Sequence, residues 1–162
     1  MYIVDNDCKE FIIQNCLTPK ISFKHKIENK KKELNLKDYC YSIIHIRVPD
    51  YQPFYSEQLK NIISVIDVIK DKITDDEKCV LLISNDVYFD HINYPFIIKT
   101  NLKRGHIGLN TTTIHETEDT MIEFMIMTTS KKIYQISELS WGSGFSDIVN
   151  KIYDIPLEDY KI

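Results

Sequence analysis

Residues 41–49, Tyr-Ser-Ile-Ile-His-Ile-Arg-Val-Pro, decide how this chain is read. The run Tyr41–Val48 is rich in strand formers and stops at Pro49, as a buried strand with its functional end at the carboxyl side would. A helix follows. Between about Ser56 and Lys72, Leu59, Ile62, Ile63, Ile66 and Ile69 recur at steps of three and four, with Lys60, Asp67, Lys70 and Asp71 on the other side. Strand followed by amphipathic helix is the first half of a parallel crossover unit.

The same alternation continues downstream. Cys79–Ile83 is a short apolar run between an acidic stretch and Ser84-Asn85-Asp86, and reads as a second buried strand. A short helix and a third strand at Phe96–Ile98 come next. Thr113 and Glu116 fit a capping box, opening a helix that runs to about Ser130 with Ile122, Met125 and Ile126 on one face. Lys132–Ile136 gives a fourth strand and Phe145–Tyr153 a last helix before Pro156. The fold expected is one α/β domain over residues 1–162, a Rossmann-like parallel sheet with helices on both faces. Residues 1–40 form a helical or irregular lead-in, and 41–155 form the core. Such sheets bind ligands beyond the carboxyl ends of their strands.

Composition sets the background against which single residues stand out. The chain has 162 residues, a formal net charge of −4 and a hydrophobic fraction of 43%, ordinary for a soluble domain without a broad electrostatic footprint for nucleic acid. No apolar run reaches the roughly 18 residues of a membrane span, and the first residues lack a signal peptide's basic start and apolar stretch. Cys8, Cys16, Cys40 and Cys79 are too widely spaced for a zinc or redox pair, so inert, mostly buried thiols in the cytoplasm or another reducing compartment are expected, with no metal site. Lys30-Lys31-Lys32 reads as a solvated surface face. There is no alanine, there are 27 isoleucines, and 18 of the 20 basic residues are lysine, a bias that suggests AT-rich coding. Arg47 and Arg104, with Gly105, Gly108, Gly142 and Gly144, depart from that habit and fall in three short stretches.

Each stretch carries a chemical reading beside a plainer one. His45 and Arg47 fall on the same face of their strand, where a guanidinium can grip a diphosphate in two places and an imidazole can bond a base, sugar or phosphate oxygen. Alternatively Arg47 pairs with Asp50 or another carboxylate, and His45 is a satisfied core residue. Ser137–Ser146 joins strand to helix through small residues, and the amides and hydroxyls of Ser143, Gly144, Phe145 and Ser146 suit an anion. The alternative is an ordinary turn with Ser143 or Ser146 as N-cap and Trp141 packed in the core. Gly142 and Gly144 are expected to hold a backbone that side chains would obstruct. Residues 99–114 form a long aperiodic connection, in which Arg104, Gly105 and His106 either fold over a ligand or form a surface loop. Glu116, Glu118 and Asp119 lie near this loop and single out no base; they, like His106 and His115, read as solvated groups near a helix start. Neither GxGxxG nor GxxxxGK[ST] is present.

Three segments together resemble the nucleotide-sugar-binding half of the α1,6-fucosyltransferase and protein O-fucosyltransferase superfamily, two-domain GT-B enzymes that use GDP-fucose. His45-Ile46-Arg47 with Asp50 resembles the first motif, a strand ending in His-x-Arg and followed shortly by Asp. Val80–Asp86 resembles the second, an apolar strand running into Ser-Asp or Thr-Asp-Asp. Met121-Ile122-Glu123-Phe124 through Ile133-Tyr134 to Gly144-Phe145-Ser146 resembles the third, an acidic helix, a strand and a Ser/Thr-Phe-Ser turn. The set covers roughly residues 40–153 in the family's order. It departs from the family at Glu123, usually Asp, and at Val48, where a second arginine is common.

The resemblance implies a donor substrate, GDP-fucose or another GDP-sugar, and transfer without a metal to a glycan or protein acceptor, with inversion. It implies that Arg47 contacts the β-phosphate as the catalytic charge-stabilising group, that His45 lies near the nucleotide, that Glu123 takes the guanine side, and that Ser146 with nearby amides binds phosphate. A fixed guanidinium would then stabilise the charge that grows on the departing diphosphate. The family carries its acceptor on a second, N-terminal domain, whereas about 40 residues precede the first motif here. The expectation is a domain of a longer chain, a protein reduced to its donor half, or one that borrows acceptor contacts from a partner. The alternative function is a non-catalytic nucleotide- or glycan-binding module.

Overall fold

The computed structural model describes residues 5–49, 53–84, 86–103, 105 and 112–162. Asp50, Asn85, Arg104, His106 and Gly108, singled out above, lie outside the described residues.

Five parallel strands form one sheet: β1 (Tyr41–Arg47), β2 (Lys78–Ile83), β3 (Ile97–Lys99), β4 (Lys132–Ser137) and β5 (Leu157–Lys161), in the order β3-β2-β1-β4-β5. The helices are α1 (Asn6–Ile12), α2 (Ile21–Glu33), α3 (Ser56–Lys70), α4 (Ile114–Met127) and α5 (Gly144–Tyr153). A π-helical turn, Ile13–Leu17, follows α1, and a 3-10 segment, Asp86–His91, precedes β3. The fold is the α/β, Rossmann-like arrangement expected.

Alternation along the strands divides the core in two. Ile44, Ile46 and Val48 of β1 and its extension pack with Leu81, Ile83 and Ile136 against Ile62, Ile66 and Ile69 of α3. Tyr41 and Ile43 pack with Val80, Leu82 and Ile133 against α2, α4 and α5 through Ile27, Ile122, Ile126 and Val149. Burying each such isoleucine contributes about 1.5–3 kcal/mol, which explains why α3 forms without a side-chain cap. In α4 the capping box is present as expected, Thr113 accepting from the Glu116 amide and Glu116 accepting from the Thr113 amide.

Several expectations are corrected. A fifth strand, β5, extends the sheet past residue 155; Leu157-Glu158-Asp159-Tyr160-Lys161 is mostly charged because it is an edge strand, so strand-like apolarity is absent. Cys8, Cys16 and Cys40 are exposed and only Cys79 is buried, its thiol pushed up to about 12 by desolvation. Lys31 is buried, its ammonium 2.8 Å from Asp38, so the lysine run is not uniformly solvated. Trp141 is 73% exposed and is not core. Asp119 is buried rather than solvated. Among the described residues no helix is long and apolar enough to cross a membrane.

Candidate functional site

The strand order changes direction between β1 and β4. From β1 the chain passes to α3 on one face, and from β4 to α5 on the other. The two connections diverge and leave a crevice over the carboxyl ends of these strands, the place where open parallel sheets take their ligands.

Register brings the candidate residues to this edge. His45 pairs with Gln135 and Arg47 with Ser137, all four on the α4/α5 face by alternation. The imidazole of His45 is buried, with Nδ1 2.5 Å from the hydroxyl of Ser146 in the first turn of α5. Arg47 is half-buried, and its carbonyl accepts from the Glu138 amide at 3.3 Å. The strand end is closed on its other side by Ser84, whose hydroxyl donates to the Val48 carbonyl at 2.6 Å and accepts from the Val48 amide at 3.0 Å.

The turn into α5 is built by backbone demands. Gly142 has φ +75°, and a Cβ there would overlap the Gln135 carboxamide, so this glycine is required. Gln135 accepts from the Ser143 amide at 3.1 Å and donates to Asp159 of β5 at 2.9 Å. Gly144 is a correction: a Cβ there meets nothing within 4 Å, so no obstruction demands glycine at that position. Ser143 is the N-cap, without a side-chain cap bond, and Phe145 meets Phe124 of α4 edge-on at 5.3 Å between centroids. Neighbouring side chains, His45 and Gln135, therefore hold the two ends of α5's first turn, at Ser146 and at Ser143. A helix's first turn carries unpaired backbone amides and the positive end of the dipole, an arrangement suited to an anion.

Glu123 lies elsewhere, on α4. It is buried, and Thr100 donates its hydroxyl to it at 2.5 Å. The same stripe of α4 holds the chain after β3 at successive turns. Asp119 accepts from the Lys103 amide at 3.0 Å, and Thr120 both accepts from the Gly105 amide at 3.0 Å and meets its carbonyl at 3.1 Å. Glu116 accepts from Thr113, which together with that amide keeps its carboxyl below the usual range. Two of the acids first grouped at the helix start, Glu116 and Asp119, thus have backbone partners. Glu118 pairs with Lys26 at 2.7 Å, and His115 lies 3.7 Å from Asp119.

The structure brings His45, Arg47, Ser143, Gly144, Phe145 and Ser146 to one edge, while Glu123 sits on α4 beside Phe124, which meets Phe145 of that edge. The sequence reading missed Gln135, Asp159 and Thr100. Gln135 carried a usable signal, a carboxamide amid Ile133, Tyr134 and Ile136. Among the described residues no group of three or more His, Cys, Asp and Glu is placed to hold a metal ion. Comparison with protein-family models gives no match to this chain, and comparison with curated proteins gives none either.

Proposed function

We propose that the chain is a nucleotide-sugar-binding domain of the fucosyltransferase kind, taking up a GDP-sugar, GDP-fucose first, and passing its sugar to a glycan or protein acceptor. One observation carries the reading. His45 and Arg47 on β1 and the first turn of α5, about 100 residues apart in sequence, meet at the β1/β4 crevice through the His45–Ser146 contact.

In this reading the diphosphate sits over α5's first turn, and the Arg47 guanidinium stabilises negative charge as the bond from sugar to β-phosphate breaks. Ser146 acts through His45, fixing the ring, while the amides of the turn meet the phosphate oxygens. The guanine edge falls to the Glu123 carboxylate, an acceptor of hydrogen bonds. Calorimetric titration with GDP, UDP and ADP tests this. GDP is expected to bind tightest; equal affinity for the three, or none at millimolar concentration, overturns it.

A non-catalytic binding module is the second reading, favoured because His45 and Glu123 already hold protein partners in Ser146 and Thr100. Release of GDP from GDP-fucose in the presence of glycan acceptors separates the two.

A further inference from the structure

The turn into α5 leans on the last strand at several points along its length. Asp159 of β5 accepts from the Gln135 carboxamide, whose oxygen in turn accepts from the Ser143 amide. The Lys161 ammonium donates to the Leu139 carbonyl at 3.1 Å, the same carbonyl that accepts from the Gly142 amide at 3.0 Å. Just past β5, the Ile162 amide donates to the Ser137 carbonyl at 3.2 Å, where β4 gives way to the turn. Asp159 and Lys161 pair with each other at 2.7 Å on the strand face that carries Gln135. Residues 137–143 therefore depend for their shape on β5 being in the sheet.

β5 itself is held lightly. None of Leu157–Lys161 is buried, whereas β4 beside it is buried from Ile133 to Ser137. On the face away from the turn, Glu158 accepts from Lys72 and, at 2.7 Å, from Lys132, and Tyr160 accepts from Lys72 at 2.9 Å. These pairs are partly exposed, a kind that adds little to stability, and β5 has a neighbour on one edge only. Little apolar burial and a solvated outer edge mark an element that opens before the centre of its sheet.

We propose that β5 is a strap that sets the candidate site: docked, it fixes the α5 turn, and its release from β4, with the rest of the sheet intact, frees the Gln135 carboxamide and the Leu139 carbonyl that order the turn. What is regulated is the fraction of chains with β5 docked. A ligand that needs the ordered turn and the docking of β5 then favour each other by the same factor. The ligand half rests on the nucleotide reading, while the coupling of strand to turn is independent of it.

Native-state hydrogen exchange, followed by NMR on the whole chain across low urea concentrations, tests the strap. The amides of Ile162, Gly142 and Ser143 are expected to share one opening, easier than the global unfolding that releases the amides of β1 and β2. Ile162 exchanging only together with β1 and β2 overturns the proposal, as does Ile162 opening while Ser143 stays protected. Glu158→Ala, on the face away from the turn, should speed Ile162 and Ser143 by one common factor of roughly twofold to tenfold, with circular dichroism unchanged. A faster Ile162 beside an unmoved Ser143 overturns the coupling. Saturating GDP should slow Ile162 as well as Ser143, and GDP bound by calorimetry with Ile162 unchanged overturns the link from strap to ligand. A chain that binds no GDP, but whose Ile162 and Ser143 open together, supports the strap and refutes the nucleotide reading alone.

Discussion

The Nδ1 atom of His45 and the hydroxyl of Ser146 stand 2.5 Å apart, both buried, joining the central strand to the first turn of the last helix. Losing the hydroxyl takes one hydrogen-bond partner from a buried imidazole. Ser146→Ala is expected to cost about 1–3 kcal/mol in urea unfolding and to weaken GDP binding, with Ser146→Thr recovering part of both. Unchanged stability would show that the pair contributes nothing to the turn.

The two glycines of the α5 turn should behave differently. Gly142→Ala meets a left-handed backbone and the Gln135 carboxamide, and is expected to lose about 1 kcal/mol or more in the same assay. Gly144 stands in open space, so Gly144→Val should fold normally by circular dichroism while reducing GDP affinity, since its side chain would stand where the phosphate is proposed to lie. An unfolded Gly144 variant would give that residue a structural role instead.

Arg47 separates charge from shape. Lysine keeps the charge and loses the planar fork, and alanine loses both. Calorimetry at one ionic strength should find both variants below wild type, alanine by about 1.5–3 kcal/mol, or one to two decades. Equal GDP affinity in all three would make Arg47 a structural ion-pair residue.

Acid stability should depend on Glu158. Lys132, Lys72 and Tyr160 all donate to its carboxylate, which lowers it to about 2 from an ordinary value near 4.5. The folded state then binds this proton less readily than the unfolded chain, so the stabilisation is present in full above the ordinary value. It falls away as pH drops from there toward 2. Urea midpoints measured across that window should decline in wild type, and Glu158→Gln should show a shallower decline. Parallel curves would assign acid lability to other carboxylates.

The layer arrangement was legible because β1, β2 and α3 carry their periods in apolar residues, and the Thr113–Glu116 cap announces itself by residue type. Less was visible where polar residues do internal work. β5 shows no apolar run because one edge of it faces water, and Gln135 is read as a strand residue only when Asp159 and the Ser143 amide are placed beside it. Asp119 looked like a solvated acid because sequence does not reveal that the chain after β3 turns back along α4. Gly144 was grouped with Gly142 by composition, although only Gly142 has the positive φ that demands glycine.

β5 also sets an order of events. Its Asp159 orients Gln135, and Gln135 holds the Ser143 amide, so the geometry of the α5 turn depends on residues that leave the ribosome after the turn itself. During synthesis β1, β2 and β4 can pair first, while the crevice reaches its final shape only when residue 161 has joined the sheet. A nascent chain halted before that point would have its layers assembled and its α5 turn still unset.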